Sequence, residues 1–111
     1  MTVPIRLLLS LALACAVGLA QAAGEPEFAL TIRDHKFTPA EVRIPANTKV
    51  KLVVDNQDAT PEEFDSHALN REKVIAGKSK ATVFIGPLAP GRYSFMGEFH
   101  ADTAQGIVVA Q

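Results

Sequence analysis

The chain has 111 residues, with 11 Lys and Arg against 12 Asp and Glu, a formal charge of −1, one cysteine and no tryptophan. That length holds one small domain. The near-balanced charge lacks the basic footprint of a nucleic-acid binder, and a single cysteine excludes an internal disulfide.

The chain opens as a secretory signal peptide. Arg6 precedes an apolar run from Leu7 to Leu19, and Ala20-Gln21-Ala22 supplies a small-residue cleavage site. The run is too short to cross a bilayer comfortably, so the protein is not expected to be membrane-spanning. Cys15 lies inside the run, and Ala12, three residues before it, stands where a lipoprotein signal has leucine. Cleavage after Ala22 or Ala23 predicts residues 1–22 as leader and 23–111 as one periplasmic domain of about 88 residues. Without the leader there is no cysteine, which excludes thiolate metal sites and cysteine nucleophiles. Loss of Arg6 leaves 10 basic against 12 acidic residues, a charge of −2. A domain this small without disulfides depends on a well-packed sandwich or a metal.

From Phe28 onward apolar residues alternate instead of recurring at helical spacing. Phe28, Leu30 and Ile32 share one face, then Val42 and Ile44, then Val50, Leu52 and Val54. Ala81, Val83 and Ile85 follow, then Tyr93 and Phe95, then Ile107 to Val109. Period two with β-branched residues signals half-buried strands. The breaks fall at Pro39, Pro45-Ala-Asn47, Asn56-Gln-Asp58, Gly77, Gly86-Pro87, Pro90-Gly91 and Gly97. Short strands at this spacing predict an all-β sandwich or barrel. The least regular stretch, Asn56 to Lys78, is expected to be an ordered loop with a short strand from about Glu63 and a turn of helix around Asn70 to Lys73.

Several segments resemble the cupredoxin frame: Ile44-Pro-Ala-Asn-Thr-Lys-Val50, Asn56-Gln-Asp58, Pro87-Leu-Ala-Pro-Gly-Arg-Tyr93-Ser-Phe95 and Gly106-Ile-Val-Val. More narrowly, Asp34-His-Lys-Phe37, Thr60-Pro-Glu-Glu-Phe-Asp-Ser66, Leu69-Asn-Arg-Glu-Lys73 and Gly97-Glu-Phe-His100 resemble cupredoxin-like proteins of the EfeO/FtrB type. The resemblance implies a Greek-key β-sandwich of about seven to eight strands. It also implies a periplasmic place in ferrous-iron uptake systems that involve copper, beside a membrane iron permease and a periplasmic iron- and copper-binding protein.

The chain departs from blue-copper proteins at the metal loop. Gly97 stands where they have cysteine, and Asp102-Thr-Ala-Gln105 stands where an axial methionine would follow. A trigonal two-histidine, one-thiolate site cannot be built, so no type 1 blue copper is expected. In the cupredoxin frame three regions converge on one pole: the loop after the first strand (His35), the loop after the Asn-x-Asp turn (Glu62, Glu63) and the last loop (Glu98, His100). These five are the candidate metal ligands. Neighbouring strand residues face opposite ways, so one of Glu62 and Glu63 points inward, with Glu63 favoured. Met96 is expected in the core, facing away from Gly97's side. His67 is expected on the loop surface, and with Asp65 and Met96 forms the weaker, supporting set.

Imidazole with carboxylate suits Cu(II), iron, manganese or zinc and disfavours Cu(I). Copper as Cu(II) is the expected ion, with iron second. No Gly-x-Ser-x-Gly elbow accompanies Ser66, Ser79 or Ser94. Glu62 and Glu63 are sequence neighbours and do not face each other as glycosidase carboxylates do. No phosphate-binding glycine loop occurs. The expected function is metal binding in iron acquisition, assisting Fe(II) oxidation or passing metal to the permease. Ferroxidase activity is left for the domain together with a partner. The alternatives are a metal-free partner-binding module and a one-electron carrier to a membrane partner.

Overall fold

The computed structural model describes Thr2 and residues 24–111; the rest of the expected leader, the expected cleavage site and Cys15 lie outside the described residues. Among the described residues nine strands follow in order: β1 Glu27–Arg33, β2 Lys36–Thr38, β3 Glu41–Ile44, β4 Val50–Asn56, β5 Glu62–Ser66, β6 Arg71–Ile75, β7 Ser79–Ile85, β8 Gly91–Gly97 and β9 Gln105–Ala110. One 3₁₀ turn, Glu98–His100, sits between β8 and β9. Two mixed sheets form a β-sandwich. One has the order β2-β1-β4-β7 and the other β3-β9-β8-β5-β6. β1 runs parallel to β4, and β3 parallel to β9.

The period-two pattern decides which face each strand buries. In β4, Val50, Leu52, Val54 and Asn56 point inward while Lys51, Val53 and Asp55 face out. Leu30 and Ile32 of β1, Val83 and Ile85 of β7, and Val108 and Ala110 of β9 meet them in one core. Three phenylalanines fill the end of that core nearest the 3₁₀ turn. Phe95 lies 5.0 Å from both Phe37 and Phe64, edge-on to the first and stacked on the second. Such aromatic pairs contribute about 0.5–1.5 kcal/mol beyond their burial. Opposite Phe95 in the ladder is Gly106, and a Cβ there would lie 2.2 Å from the Phe95 ring.

The structure corrects the expected loop from Asn56 to Lys78. There is no helical turn at Asn70 to Lys73: β5 and β6 form a hairpin from Ser66↔Arg71 to Glu62↔Ile75. Asn70 takes a left-handed φ of 53°, which turns the chain back instead of continuing a helix. Ser66 Oγ fixes the corner, accepting from the Leu69 amide (3.0 Å) and donating to the Ser94 carbonyl (2.6 Å). The hairpin and the three-residue β2 raise the strand count above the expected seven to eight.

Candidate metal centre

Three connections meet at one end of the sandwich. The first is the two-residue turn Asp34–His35 between β1 and β2. Both residues have positive φ, 52° and 56°. This is the geometry of a tight hairpin whose backbone twist matches the flanking strands. Left-handed backbone costs a non-glycine residue about 1–2 kcal/mol, and the turn is held from outside. Asp58 accepts from the Asp34 amide at 2.8 Å and the His35 amide at 3.0 Å. The His35 amide is the main cause of a lowered Asp58 pKa. Desolvation opposes it, while the Asp34 amide and the charges of His35 and Lys78 add to it.

Asp58 is set in turn by Asn56, whose side chain is fully buried. Asn56 Oδ1 accepts from the Asp58 amide (3.0 Å), and Nδ2 donates to the carbonyls of Thr60 (2.9 Å) and Ile75 (3.1 Å). The Asn-x-Asp turn is thus a clamp that runs from the core to the backbone of His35. Asp58 is the residue that sequence reasoning missed as part of the site. The Asn56-Gln-Asp58 signal marked a turn without showing what the second carboxylate would hold.

The second connection leads into β5, whose first residue is Glu62. Its side chain is 2 % exposed, and Glu62, not Glu63, is the inward carboxylate, contrary to the order expected from sequence. Strand parity explains the outcome: Phe64 and Ser66 are buried, so Glu62 shares their face and Glu63 the other. Glu62 Oε1 accepts from the amides of Glu63 (3.0 Å) and Phe99 (2.9 Å), and Oε2 accepts from His100 Nδ1–H at 2.5 Å. One carboxylate therefore ties β5 to both the backbone and the histidine of the 3₁₀ turn.

The third connection brings His100, whose side chain is 26 % exposed. Its carbonyl accepts from the Thr103 and Ala104 amides, and the Gly97 amide donates to the Ala104 carbonyl. His35 stacks on His100 with ring centroids 3.5 Å apart and planes 11° from parallel. His35, Glu62 and His100 are the expected candidates that the fold brings together.

Gly97, where the resemblance to blue-copper proteins places their cysteine, has no room for a side chain. A Cβ there would lie 2.6 Å from Glu62 Cδ and 2.7 Å from Ala104 Cβ. The Glu62 carboxyl fills the space that a side chain at residue 97 would need. The missing side chain and the inward glutamate are two halves of one arrangement.

The other candidates lie elsewhere. Glu98 is exposed in the 3₁₀ turn, outside the hydrogen bonds that join Glu62 and His100. Glu63 lies on the outer face, its pKa raised first by desolvation and then by Glu72, Asp65, Glu98 and Glu62. Met96 faces away from Gly97's side as the strand pattern requires, but it is 40 % exposed and not in the core. His67 is exposed in the β5–β6 turn and Asp65 faces outward from β5. Among the described residues, Glu63, Asp65 and Glu72 form a set of three whose donor atoms all lie within 4.8 Å of one another.

Two imidazoles and a carboxylate make a donor set for a borderline or hard ion, and the described residues contain no cysteine for a type 1 copper site. The two rings stand in nearly parallel planes, and a nitrogen lone pair lies in its own ring plane. One ring must therefore turn before both can face one ion. No helix among the described residues is long and apolar enough to cross a membrane.

A family model described as "Cupredoxin-like domain" matches residues 6–110. The uncharacterized protein RP394 of Rickettsia prowazekii (strain Madrid E) is 46 % identical over 83 residues, which cover 75 % of this chain and 66 % of that protein. The match thus spans slightly under two thirds of the relative's length. Auracyanin A, a "blue" copper protein from Chloroflexus aurantiacus, superposes with a TM-score of 0.67 at 14 % identity, covering 79 % of this chain and 100 % of its own. The metal-binding domain of the Cu(I)-exporting P-type ATPase CopA from Streptococcus pneumoniae D39 gives 0.65 at 10 % identity, over 77 % of this chain and 84 % of that domain. At such identities the likeness establishes the fold.

Proposed function

The chain belongs to the cupredoxin-like domain family, and from that premise we propose that its pole binds Cu(II), with iron as the alternative ion, in a thiolate-free site. The observation that carries this is the buried Glu62 carboxylate, which fills the space a side chain at residue 97 would need and holds His100 through Nδ1–H. A metal-binding imidazole commonly donates its other N–H to a carboxylate, which fixes its tautomer and raises its basicity. His100 is so arranged, with Nε2 left to face a ligand. His35 is the second imidazole donor and Glu98 the nearest exposed carboxylate on the same turn. Glu62 orients His100 and offsets the charge of the cation. A bound copper ion would supply one-electron redox chemistry or a transferable cargo. Without thiolate or thioether at the pole, the donor set favours the divalent state.

The proposed setting is the periplasm, after export on the leader, in an iron acquisition system. There the domain assists Fe(II) oxidation or delivers metal to a membrane iron permease beside a periplasmic metal-binding protein. The combination of Thr60-Pro-Glu-Glu-Phe64 with Gly97-Glu-Phe-His100 supports this. Titrating the purified protein with Cu(II) and Fe(II) tests it. We expect Cu(II) to bind more tightly than about 100 µM, equivalent to ~5.5 kcal/mol, with an electron paramagnetic resonance spectrum of nitrogen and oxygen ligation that changes in His35→Ala and His100→Ala. Weaker binding, or binding unaltered by His100→Ala, overturns the reading.

A second reading rests on Phe99, 48 % exposed beside His100. The domain would then be a metal-free docking module, its histidines serving only to hold the 3₁₀ turn on Glu62. That reading predicts a melting temperature unchanged by copper, whereas an ion that binds only the folded state raises it.

A further inference from the structure

We propose that Asp65, His67 and Met96 form a second metal site, for monovalent copper, on the outer face of the five-stranded sheet. Asp65 and Met96 are direct partners across the β5–β8 ladder, and both face outward. Directly opposed residues of an antiparallel pair have Cβ atoms about 4.5–5.5 Å apart. His67 lies just past β5, in the β5–β6 turn, and borders the same cleft as Asp65 and Met96. An imidazole, a carboxylate and a thioether thus line one cleft.

The ground between them is hollow. β5 and β8 pair only at Phe64↔Gly97 and Asp65↔Met96. Beyond that point the Ser66 hydroxyl bonds the Ser94 carbonyl in place of a backbone rung. The gap is a cleft of about 290 Å³ lined by Asp65, Ser66, His67, Ser94, Met96 and Gln105, among others. A second hollow of about 360 Å³ adjoins it across the same Asp65–Ser66–His67 segment and ends at Arg71 and Glu72. Neither the His67 ring nor the Met96 sulfur makes a hydrogen bond among the described residues, and Met96 is 40 % exposed. Its position is unusual for a residue type that ordinarily fills cores.

The donor chemistry selects the ion. Thioether sulfur favours Cu(I), and imidazole accepts it. Carboxylates alone would attract calcium or magnesium, which do not use sulfur. Asp65 offsets the charge, while Glu63 and Glu72, each within 4.8 Å of it through one donor oxygen, concentrate cations at the cleft. This face prefers the copper oxidation state that the pole disfavours.

The test is an anaerobic Cu(I) titration of the purified protein against a chromophoric Cu(I) chelator, with the methionine methyl resonance followed by NMR. Met96 is one of two methionines in the chain, the other being Met1, so the signal is readily assigned. We expect one equivalent of Cu(I) to shift the Met96 methyl, Met96→Leu and His67→Asn each to weaken binding at least tenfold, and His100→Ala to leave it unchanged. Circular dichroism checks that the variants fold. A methyl resonance that does not move, or Cu(I) binding lost in His100→Ala but kept in Met96→Leu, overturns the proposal. Loss in Glu72→Gln with retention in Met96→Leu also overturns it, because the ion would then sit on the carboxylates alone. None of these outcomes depends on whether the pole binds Cu(II).

Discussion

The inner and outer faces of β5 and β8 carry opposite chemistry on adjacent residues. Inside, Glu62 fills the space beside Gly97 and its carboxylate is committed: it accepts three hydrogen bonds, one from His100. Outside, one residue along, Glu63, Asp65 and Met96 stand in or near solvent with their side chains uncommitted. The inner face is built by packing, so a change there should be felt as stability. The outer face is held by the ladder alone, so a change there should be felt as ligand affinity. On the two proposals above, a single strand would separate two metal chemistries by one step of its pleat.

The largest test of that contrast is Gly97→Cys, which would restore the blue-copper residue. Its Cβ would meet Glu62 and Ala104 at 2.6 and 2.7 Å, and Ala104 has no flexible end to move. We expect a loss of about 3 kcal/mol in urea unfolding, the upper part of the range for overpacking. Glu62→Ala should cost about 2–4 kcal/mol, because the Phe99 amide and His100 lose their acceptor in a buried place. The two changes share one space. The double variant should therefore lose about 1–3 kcal/mol less than the sum of the single losses. On the outer face, Met96→Leu should stay within about 0.5 kcal/mol of the parent. Strict additivity of the inner pair, or a large loss at Met96, would break the comparison.

How much of this could be read in the sequence follows from the range of each interaction. Strand periodicity in Val50, Leu52 and Val54 is local, and the strand assignments came with it. The absence of thiolate was legible at Gly97 because ligand spacing in the last loop is also local. Glu62 was harder. Parity alone says that either Glu62 or Glu63 turns inward, and the choice depends on Phe64 and Ser66 packing against Phe95 and Ser94, residues about 30 positions away. Asp58 was harder still, since its partners are the amides of Asp34 and His35, more than 20 residues distant. The helical turn expected near Asn70 failed for a related reason. Arg71 to Ile75 carry no inward alternation, and only pairing with β5 makes them a strand.

Asp58 offers a smaller effect that connects packing to the pole. Asp58→Ala removes two charge-assisted bonds to a left-handed turn, and solvent screening at this surface reduces their worth. A loss of about 1–2 kcal/mol is expected, together with weaker Cu(II) binding, since His35 would no longer be held against His100. Its carboxyl titrates below its usual value of 3.8 when folded. A depressed carboxylate stabilises the fold above its unfolded pKa, and that contribution disappears as pH falls through the folded value. Melting curves of parent and variant should therefore differ at neutral pH and converge below pH 3.8. A gap that persists in strong acid would mean that Asp58 acts through shape and not through charge.

The smallest effect should have the opposite sign. Glu63 is pushed above its usual 4.5, by desolvation first and then by Glu72, Asp65, Glu98 and Glu62. An acid whose folded pKa is raised binds its proton better in the folded state, so its penalty is full above the folded pKa and relieved as pH falls toward the unfolded one. Glu63→Gln should therefore raise the melting temperature slightly at neutral pH, by less than any loss above, and the gain should vanish below pH 4.5. Cation binding at the neighbouring cleft would relieve the same repulsion in the parent. The stabilisation conferred by Cu(I) should then be smaller in Glu63→Gln than in the parent, although Glu63 is not among the three donors. An equal Cu(I) stabilisation in both proteins would separate the acidic face from the copper cleft and leave Met96 and His67 to hold the ion without it.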